Sequence, residues 1–371
     1  MQFTIIGNPE NRRVTAFCDT LTQLGHKDAL VIPYKYWLNR KKRPSIPAGS
    51  IIKIDSPGED ELARTLLVAK GKDIPYATTT PAEHGEIKDM PAWYAGYCNW
   101  LQEMQLLLQE QPELQVMNDP ADIQLQFNKP VCQELLEQQG IPVPQRLPAF
   151  THYEELVLYM QQRNIHKVFI KPAHASSASG VIAFRKAGHR VQAVTAAEMV
   201  TTGKGVQLFN SLKVLTYTNE ADIATLVNRM VAENVFAEEW LPKATLHDRF
   251  FDVRVLVIAG KARHTVIRTS ATILTNLHLG NRRGDLNEFN AIIGNNKLQE
   301  IKHLAEQAAA CFPKSLYMGI DILLTADLRK TVVLEVNAFG DLLPGLLDEG
   351  ETCYEAQINA MIKKQQQQPI W

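Results

Sequence analysis

Tyr317–Gly345, YMGIDILLTADLRKTVVLEVNAFGDLLPG, is the stretch on which the reading of this chain turns. Two runs of strand-forming residues, Met318–Leu324 and Thr331–Val336, flank the polar connection Thr325–Lys330, so the stretch reads as an antiparallel hairpin. Alternating side chains put Glu335 and Asn337 on one face, about 6.5–7 Å apart. With the turn centred near Leu328, Asp321 falls opposite Glu335, their Cβ atoms about 5 Å apart. Two carboxylates so placed repel, and a purely structural hairpin gains nothing from them. A hard cation turns the repulsion into a site, because Mg²⁺ takes one or two carboxylates together with substrate phosphates. The competing reading is an exposed face with scattered polar residues. GID, EVN, Gly340, Pro344 and Gly345 occur together, and that favours the metal reading.

The totals narrow the class. A chain of 371 residues is too long for one ordinary core and suggests two or three packed units. At 45% hydrophobic and 21% charged it has the composition of a globular enzyme. The net charge of −1 gives no global pull toward nucleic acid or an anionic membrane, although basic residues cluster at Arg40–Arg43 and Arg282–Arg283. Five scattered cysteines without a CxxC fit reduced thiols better than disulfides or a zinc site. No apolar run reaches the ~20 residues of a membrane span, and the first residues lack the order of a signal peptide. A cytoplasmic protein is expected.

Along the chain, Gln2–Ile6, Ala29–Pro33 and Ser50–Ile54 read as strands separated by a helix through Val14, Phe17, Leu21 and Leu24, which is the order of a parallel α/β unit. Glu59–Lys70 reads as a second helix with Leu62, Leu66 and Leu67 on one face. Trp93, Tyr97, Trp100, Met104 and Leu107 recur at helical spacing; a core face explains them better than a partner surface. Asn128-Lys129 opens a capped helix that Gly140 stops. Val168–Pro172, VFIKP, ends a buried strand on Lys171, a costly position unless an anion meets it. The following AHASSASGV is a small-residue loop suited to backbone contact with phosphate. Within it His174 either touches substrate or is merely exposed. Residues 187–232 read as short strands and a helix near Ala221–Ala232, and TGKG within them is not a P-loop. FDVRVLVIAG alternates strictly, so Asp252 and Arg254 share a face. Arg254 then either serves a site or pairs with Asp252 or another carboxylate.

GIDILLT…VVLEVNAFGDLLPG resembles the metal-binding end of the ATP-grasp superfamily. Asn128-Lys129 followed by GIPVP is similar to the junction at which glutathione-synthetase-like and RimK-like enzymes enter the ATP-grasp domain. The order DVRV, Arg268, TNLH, Gly280 is close to RimK-type carboxylate–amine ligases. This resemblance implies an α/β and α+β protein: an ATP-grasp fold of two α+β lobes preceded by an α/β pre-ATP-grasp domain. The implied boundaries are 1–120, 121–240 and 241–360, with 361–371 a mobile tail. It also implies site roles. Lys129 and Lys171 would hold ATP phosphates under a loop containing Ser176, Ser177, Ser179 and Gly180, a loop richer in serine and poorer in glycine than the family's. Glu238 and Glu239 would lie beside adenine or ribose. Arg254, Arg268 and Asn276 would be catalytic, facing the γ-phosphate and a second metal, with His278 either there or a satisfied loop residue. Asp321, Glu335 and Asn337 would hold two Mg²⁺ ions.

The implied reaction is ATP-dependent joining of a carboxylate and an amine through an acyl-phosphate, releasing ADP and phosphate. Its substrates would be small molecules or peptides. Arg282 and Arg283 would add positive charge near the acceptor, and Asp285 or Glu288 would take the amine's proton. Two alternatives stay open: an ATP-grasp enzyme with a non-amine acceptor, and an ATP- or peptide-binding module with altered catalysis.

Overall fold

The structure, a computed structural model, describes residues 1–39, 43–175, 179–203, 205–275 and 281–367. Three sheets organise it. The first is parallel, in the order β2-β1-β3-β4, from β1 (Phe3–Ile6), β2 (Leu30–Ile32), β3 (Ile51–Ile54) and β4 (Gln115–Val116). Helices α1 (Arg12–Gln23), α2 (Tyr34–Leu38), α3 (Glu61–Lys72) and α4 (Met90–Glu110) connect these strands. Asn11 and Asp60 cap α1 and α3 with their side chains, which is why those helices begin where they do. Tyr97, Trp100, Met104 and Leu107 of α4 are buried as the core-face reading expected, but Leu62 of α3 is exposed and Ala63 takes the inward position.

Helices α5 (Pro120–Phe127), α6 (Lys129–Gln138) and α7 (Tyr153–Gln162) lead to the second sheet; α5 and α7 have no counterpart among the elements expected from the sequence. That sheet is antiparallel, in the order β8-β7-β6-β5-β9, from β5 (Lys167–Pro172), β6 (Ile182–Ala187), β7 (Arg190–Thr202), β8 (Gly205–Tyr217) and β9 (Val235–Glu239), with α8 (Glu220–Val231) against it. The short strands expected after residue 187 are instead two 13-residue strands. A register shift between Thr195 and Ala197 breaks the alternation that would have shown their length.

The third sheet runs β13-β12-β11-β14-β15, with β10 (Thr245–Leu246) paired to β11 (Arg249–Ile258). Its other strands are β12 (Lys261–Ser270), β13 (Arg282–Gly284), β14 (Tyr317–Leu324) and β15 (Thr331–Asn337). Helices α9 (Leu286–Ile292) and α10 (Asn295–Ala310) follow β13, and α11 (Cys353–Gln367) ends the described chain. The tail expected from residue 361 is therefore helical through Gln367, and Met361 is buried.

Packing crosses the expected boundaries. Cys132 and Leu136 of α6 enter the core of the third sheet with Phe251, Ile320 and Val336. Tyr354, Ile358 and Met361 of α11 pack with Phe17 and Leu21 of α1. Asn118, almost fully buried, ties the first sheet to the hairpin. Its Nδ2 donates to Tyr317 O and Ala338 O, each at 2.8 Å, and its Oδ1 accepts from Leu316 N at 3.0 Å. One satisfied amide thus fixes both ends of β14–β15 against the N-terminal body.

Candidate active site

In the β14–β15 register Asp321 lies opposite Glu335 and Gly319 opposite Asn337, so the carboxylate pairing read from the sequence is present. A bulge follows: Ile322 pairs with Val333, and Leu334 is left as the extra residue. The two acids are not left to repel each other. Arg254, opposite Asp321 across β11–β14, donates Nη2 to Asp321 Oδ2 at 2.8 Å and Nε to Oδ1. Arg268, opposite Asp252 across β11–β12, reaches Asp321 Oδ2 at 3.0 Å and Asp252 Oδ1 at 2.6 Å. Burial pushes the Asp321 carboxyl up, but Arg254 and then Arg268 outweigh it and hold it well below the usual carboxylate range. Gly319 leaves the room for this fork, since a Cβ there would stand 3.2 Å from Arg254 Cδ and 3.5 Å from Gly340 Cα. Arg254 does pair with a carboxylate, Asp321, and it lines the cleft described below as well.

The lysines are paired in the same way. Lys129, at the first turn of α6, meets Glu335 at 2.6 Å and also donates to Ala175 O, joining the hairpin to the base of the small-residue loop. Lys171 meets Glu238, whose other oxygen accepts from Gln133 Nε2 at 2.6 Å. Glu238 is 1% exposed and turned to lysine and amide. Glu239, at the same strand end, is half-buried.

One cleft of about 720 Å³ collects these groups. Lys129, Lys171, Ser179, Glu238, Glu239, Arg254, Arg268, Asp321, Glu335 and Asn337 all line it. Asn276, His278, Ser176 and Ser177 lie outside the described residues. Gly180 is beside the loop but packs inward: with φ +68° and a would-be Cβ 2.5 Å from Met230 Cε, only glycine fits there. His174 is neither exposed nor among the cleft residues. It is buried, stacks on Tyr94 with centroids 3.7 Å apart, and meets Asn234 through Nε2 at 3.2 Å. Burial lowers its pKa to about 4. Arg283 lines the cleft and donates to Pro344 O at 2.7 Å, whereas Arg282 is exposed and not part of the lining. Asp285 caps α9, and Glu288 meets His247 at 2.6 Å, so neither is placed to take an amine's proton.

Several lining residues were not singled out from the sequence. Lys243, nearly buried, contacts Thr275 Oγ1 at 2.5 Å and Asp252 Oδ2 at 3.4 Å. Burial lowers its pKa, against the pull of Asp252. Asp341 takes the remaining Nη1 of Arg254 at 3.2 Å. It stands inside the quoted hairpin stretch, just past Gly340. Arg13, Ser56 and Glu59 come from the N-terminal body. For Lys243 and Arg13 no local periodicity marks the position.

Among the described residues no three His, Cys, Asp or Glu side chains gather as a metal site. The donor set at the hairpin is two carboxylates and an amide, hard oxygen ligands that leave most positions for water and phosphate. That set suits Mg²⁺.

A sequence profile of the YheC/D-like ATP-grasp family matches residues 98–341. The chain belongs to that family. The structure carries its ATP-grasp fold across nearly the whole chain. The ATP-grasp ligase PsnB, solved with minimal precursor, Mg and ADP, has 17% identity, covering 98% of each chain with a TM-score of 0.52. The macrocyclase MdnC, solved with its precursor peptide MdnA from Microcystis aeruginosa MRC, has 14% identity over 98% of this chain and 99% of its own, with a TM-score of 0.55. The D-cycloserine synthetase DcsG has 10% identity over 98% and 99%, with a TM-score of 0.57. At these identities the likeness is one of fold. Curated protein sequences gave no match. No described helix of this ATP-grasp protein is long and apolar enough to cross a membrane.

Proposed function

We propose that this protein is an ATP-dependent carboxylate–amine ligase that forms an acyl-phosphate and releases ADP and phosphate. The observation that carries the reading is the convergence, in one cleft, of the Asp321–Glu335 pair with two arginines and two lysines. Phosphoryl transfer asks a protein mainly for positioning and for charge where charge develops. In this reading Lys129 and Lys171 exchange Glu335 and Glu238 for ATP phosphates, between the second and third sheets. Ser179 meets those phosphates, a role we also assign to Ser176 and Ser177, and the end of β9 at Glu238–Glu239 receives the base.

Asp321, Glu335 and Asn337 would hold Mg²⁺, which when bound neutralises phosphate charge. Arg254 and Arg268, with Asn276, stabilise the transferred group. A substrate carboxylate oxygen bonds to the γ-phosphorus as the bridge to ADP breaks. The amine nitrogen then attacks the acyl carbon, phosphate leaves with the C–O bond pair, and the amine's proton passes to solvent. The substrates are a small-molecule or peptide acid and an amine, and we place the reaction in the cytosol, consistent with five unpaired cysteines.

Hydroxylamine tests this by replacing the amine. Protein, Mg-ATP and a pool of acids should give ADP and a hydroxamate; AMP with pyrophosphate, or ADP with a stable phosphorylated product and no hydroxamate, would refute it.

A further inference from the structure

The cleft extends past the groups that the proposed phosphoryl transfer uses, onto the N-terminal body. There its wall is Asn11, Arg12, Arg13, Ser56, Gly58 and Glu59. These residues sit where the parallel order β2-β1-β3-β4 reverses direction, between β1 and β3, beyond the carboxyl ends of both strands. Open parallel sheets bind ligands at that point because two adjacent loops part there.

The charges behind this wall exceed what the fold needs. Lys53 is 1% exposed, lies over the rings of Phe17, Tyr317 and Tyr354 at 5.2, 5.5 and 5.9 Å, and meets Asp55 at 2.6 Å. That pair is already neutral. Asp55 is nevertheless shared with a second cation, Arg13, at 2.9 Å. The cluster of two cations and one anion keeps one positive charge in excess, and Arg13, with 24% of its side chain accessible, is the member that reaches the cleft. Burying ions costs several kcal/mol each unless they are paired, so an unbalanced cluster at a ligand-binding position calls for an anion from outside. Asp341 adds a weaker attraction to Arg13 from a distance, but its ion pair is with Arg254, at 3.2 Å. Asp55 is the only ion-pair partner of Arg13 among the described residues. Its guanidinium lies over the Phe339 ring at 5.7 Å, two residues beyond Asn337. Arg13 and the proposed metal ligands line the same cleft.

We infer that Arg13, held by Asp55 and Lys53, anchors a carboxylate of the substrate that is not consumed in the reaction. The inference rests on the ligase reading and adds the substrate class: one reactant carries a second, spectator carboxylate. That reactant is either an amine with a free carboxylate, such as an amino acid or peptide end, or a dicarboxylic acid. Glu59, joined to Asn11 Nδ2 at 2.9 Å, flanks the same wall.

Calorimetric titration of the full chain with Mg-ADP present tests it. The probes are L- and D-alanine, dialanine, L-glutamate and succinate, each beside the analogue with one carboxylate made a carboxamide. The expected result is binding of at least one acid, with its carboxamide at least about tenfold weaker. Arg13→Leu should weaken the acid by about tenfold to a hundredfold and erase the difference. Arg13→Lys should restore part of it, since lysine keeps the charge but lacks the two-pronged guanidinium fork. Mg-ADP affinity should not change, which shows that the variants are folded. Alanine against succinate separates the two sources of the carboxylate. Failure of every acid to bind, or an acid–amide difference that survives Arg13→Leu, overturns the inference. Carboxylate binding that depends on Arg13, without any trapped hydroxamate, removes the ligase reading and leaves the anchor.

Discussion

Arg254 and Asp321 stand opposite each other across β11–β14 and meet as a fork, Nη2 to Oδ2 at 2.8 Å. Arg268 takes the same carboxylate at 3.0 Å. The acid that reads as a repelling partner of Glu335 is thus also the hub of a buried ionic network. Removing it does two things at once. Asp321→Ala should abolish Mg-dependent ATP consumption and also destabilise the fold by about 3–5 kcal/mol, because two buried guanidinium groups lose their shared anion. Urea unfolding reads the second effect; unchanged stability would contradict the network.

Glu335 separates the site from the fold. Its side chain is 30% accessible and its partner Lys129 can turn to water. Glu335→Ala should cost at most about 1 kcal/mol of stability and lower Mg-dependent turnover by about a hundredfold or more. Full ATP consumption by this variant would remove the hairpin from the site.

Lys171 and Glu238 answer a similar question for the nucleotide. Lys171→Met should weaken ATP binding by at least about tenfold and strand the buried Glu238, for a loss of about 3 kcal/mol. Adding Glu238→Gln should return most of the stability and none of the affinity. Recovery of both in the double variant would mean that Lys171 meets no phosphate.

His174 gives a pH signature. Its pKa falls to about 4 through burial, against an ordinary value of 6.5, so the unfolded chain binds the proton more readily. The stability this group contributes is therefore nearly complete above about pH 6.5 and is lost as pH falls toward 4, by about 3 kcal/mol over the window. Unfolding of wild type and His174→Phe followed from pH 7 to pH 4 should show the steeper loss in wild type. Parallel curves would mean that His174 binds its proton as readily in the fold as in the unfolded chain.

Most of what the sequence reveals here is local. The hairpin register is legible because both strands alternate and the turn between them has a countable length, which puts Asp321 against Glu335. Lys171 stands out because it ends a buried strand where a charge needs a reason, and Lys129 only through its place before GIPVP. What escapes depends on partners far along the chain. That Glu238 is held by Lys171 and Gln133 could not be read locally. Lys243 matters through Thr275 and Asp252, and Arg13 through Asp55 and the topology of a sheet. His174 reads as a loop residue because nothing near it in sequence announces Tyr94, eighty positions earlier. Residues from 361 read as a tail because the polar run KKQQQQ draws attention from Met361, which is buried with the first body's residues.

Transfer of oxygen tests the central claim most directly. A substrate acid labelled with oxygen-18 in its carboxylate, turned over with Mg-ATP and the accepting amine, should give inorganic phosphate carrying one labelled oxygen in the phosphorus NMR spectrum, because the bond broken last is between the acyl carbon and that oxygen. Unlabelled phosphate, or label found in AMP, would contradict carboxylate activation through an acyl-phosphate.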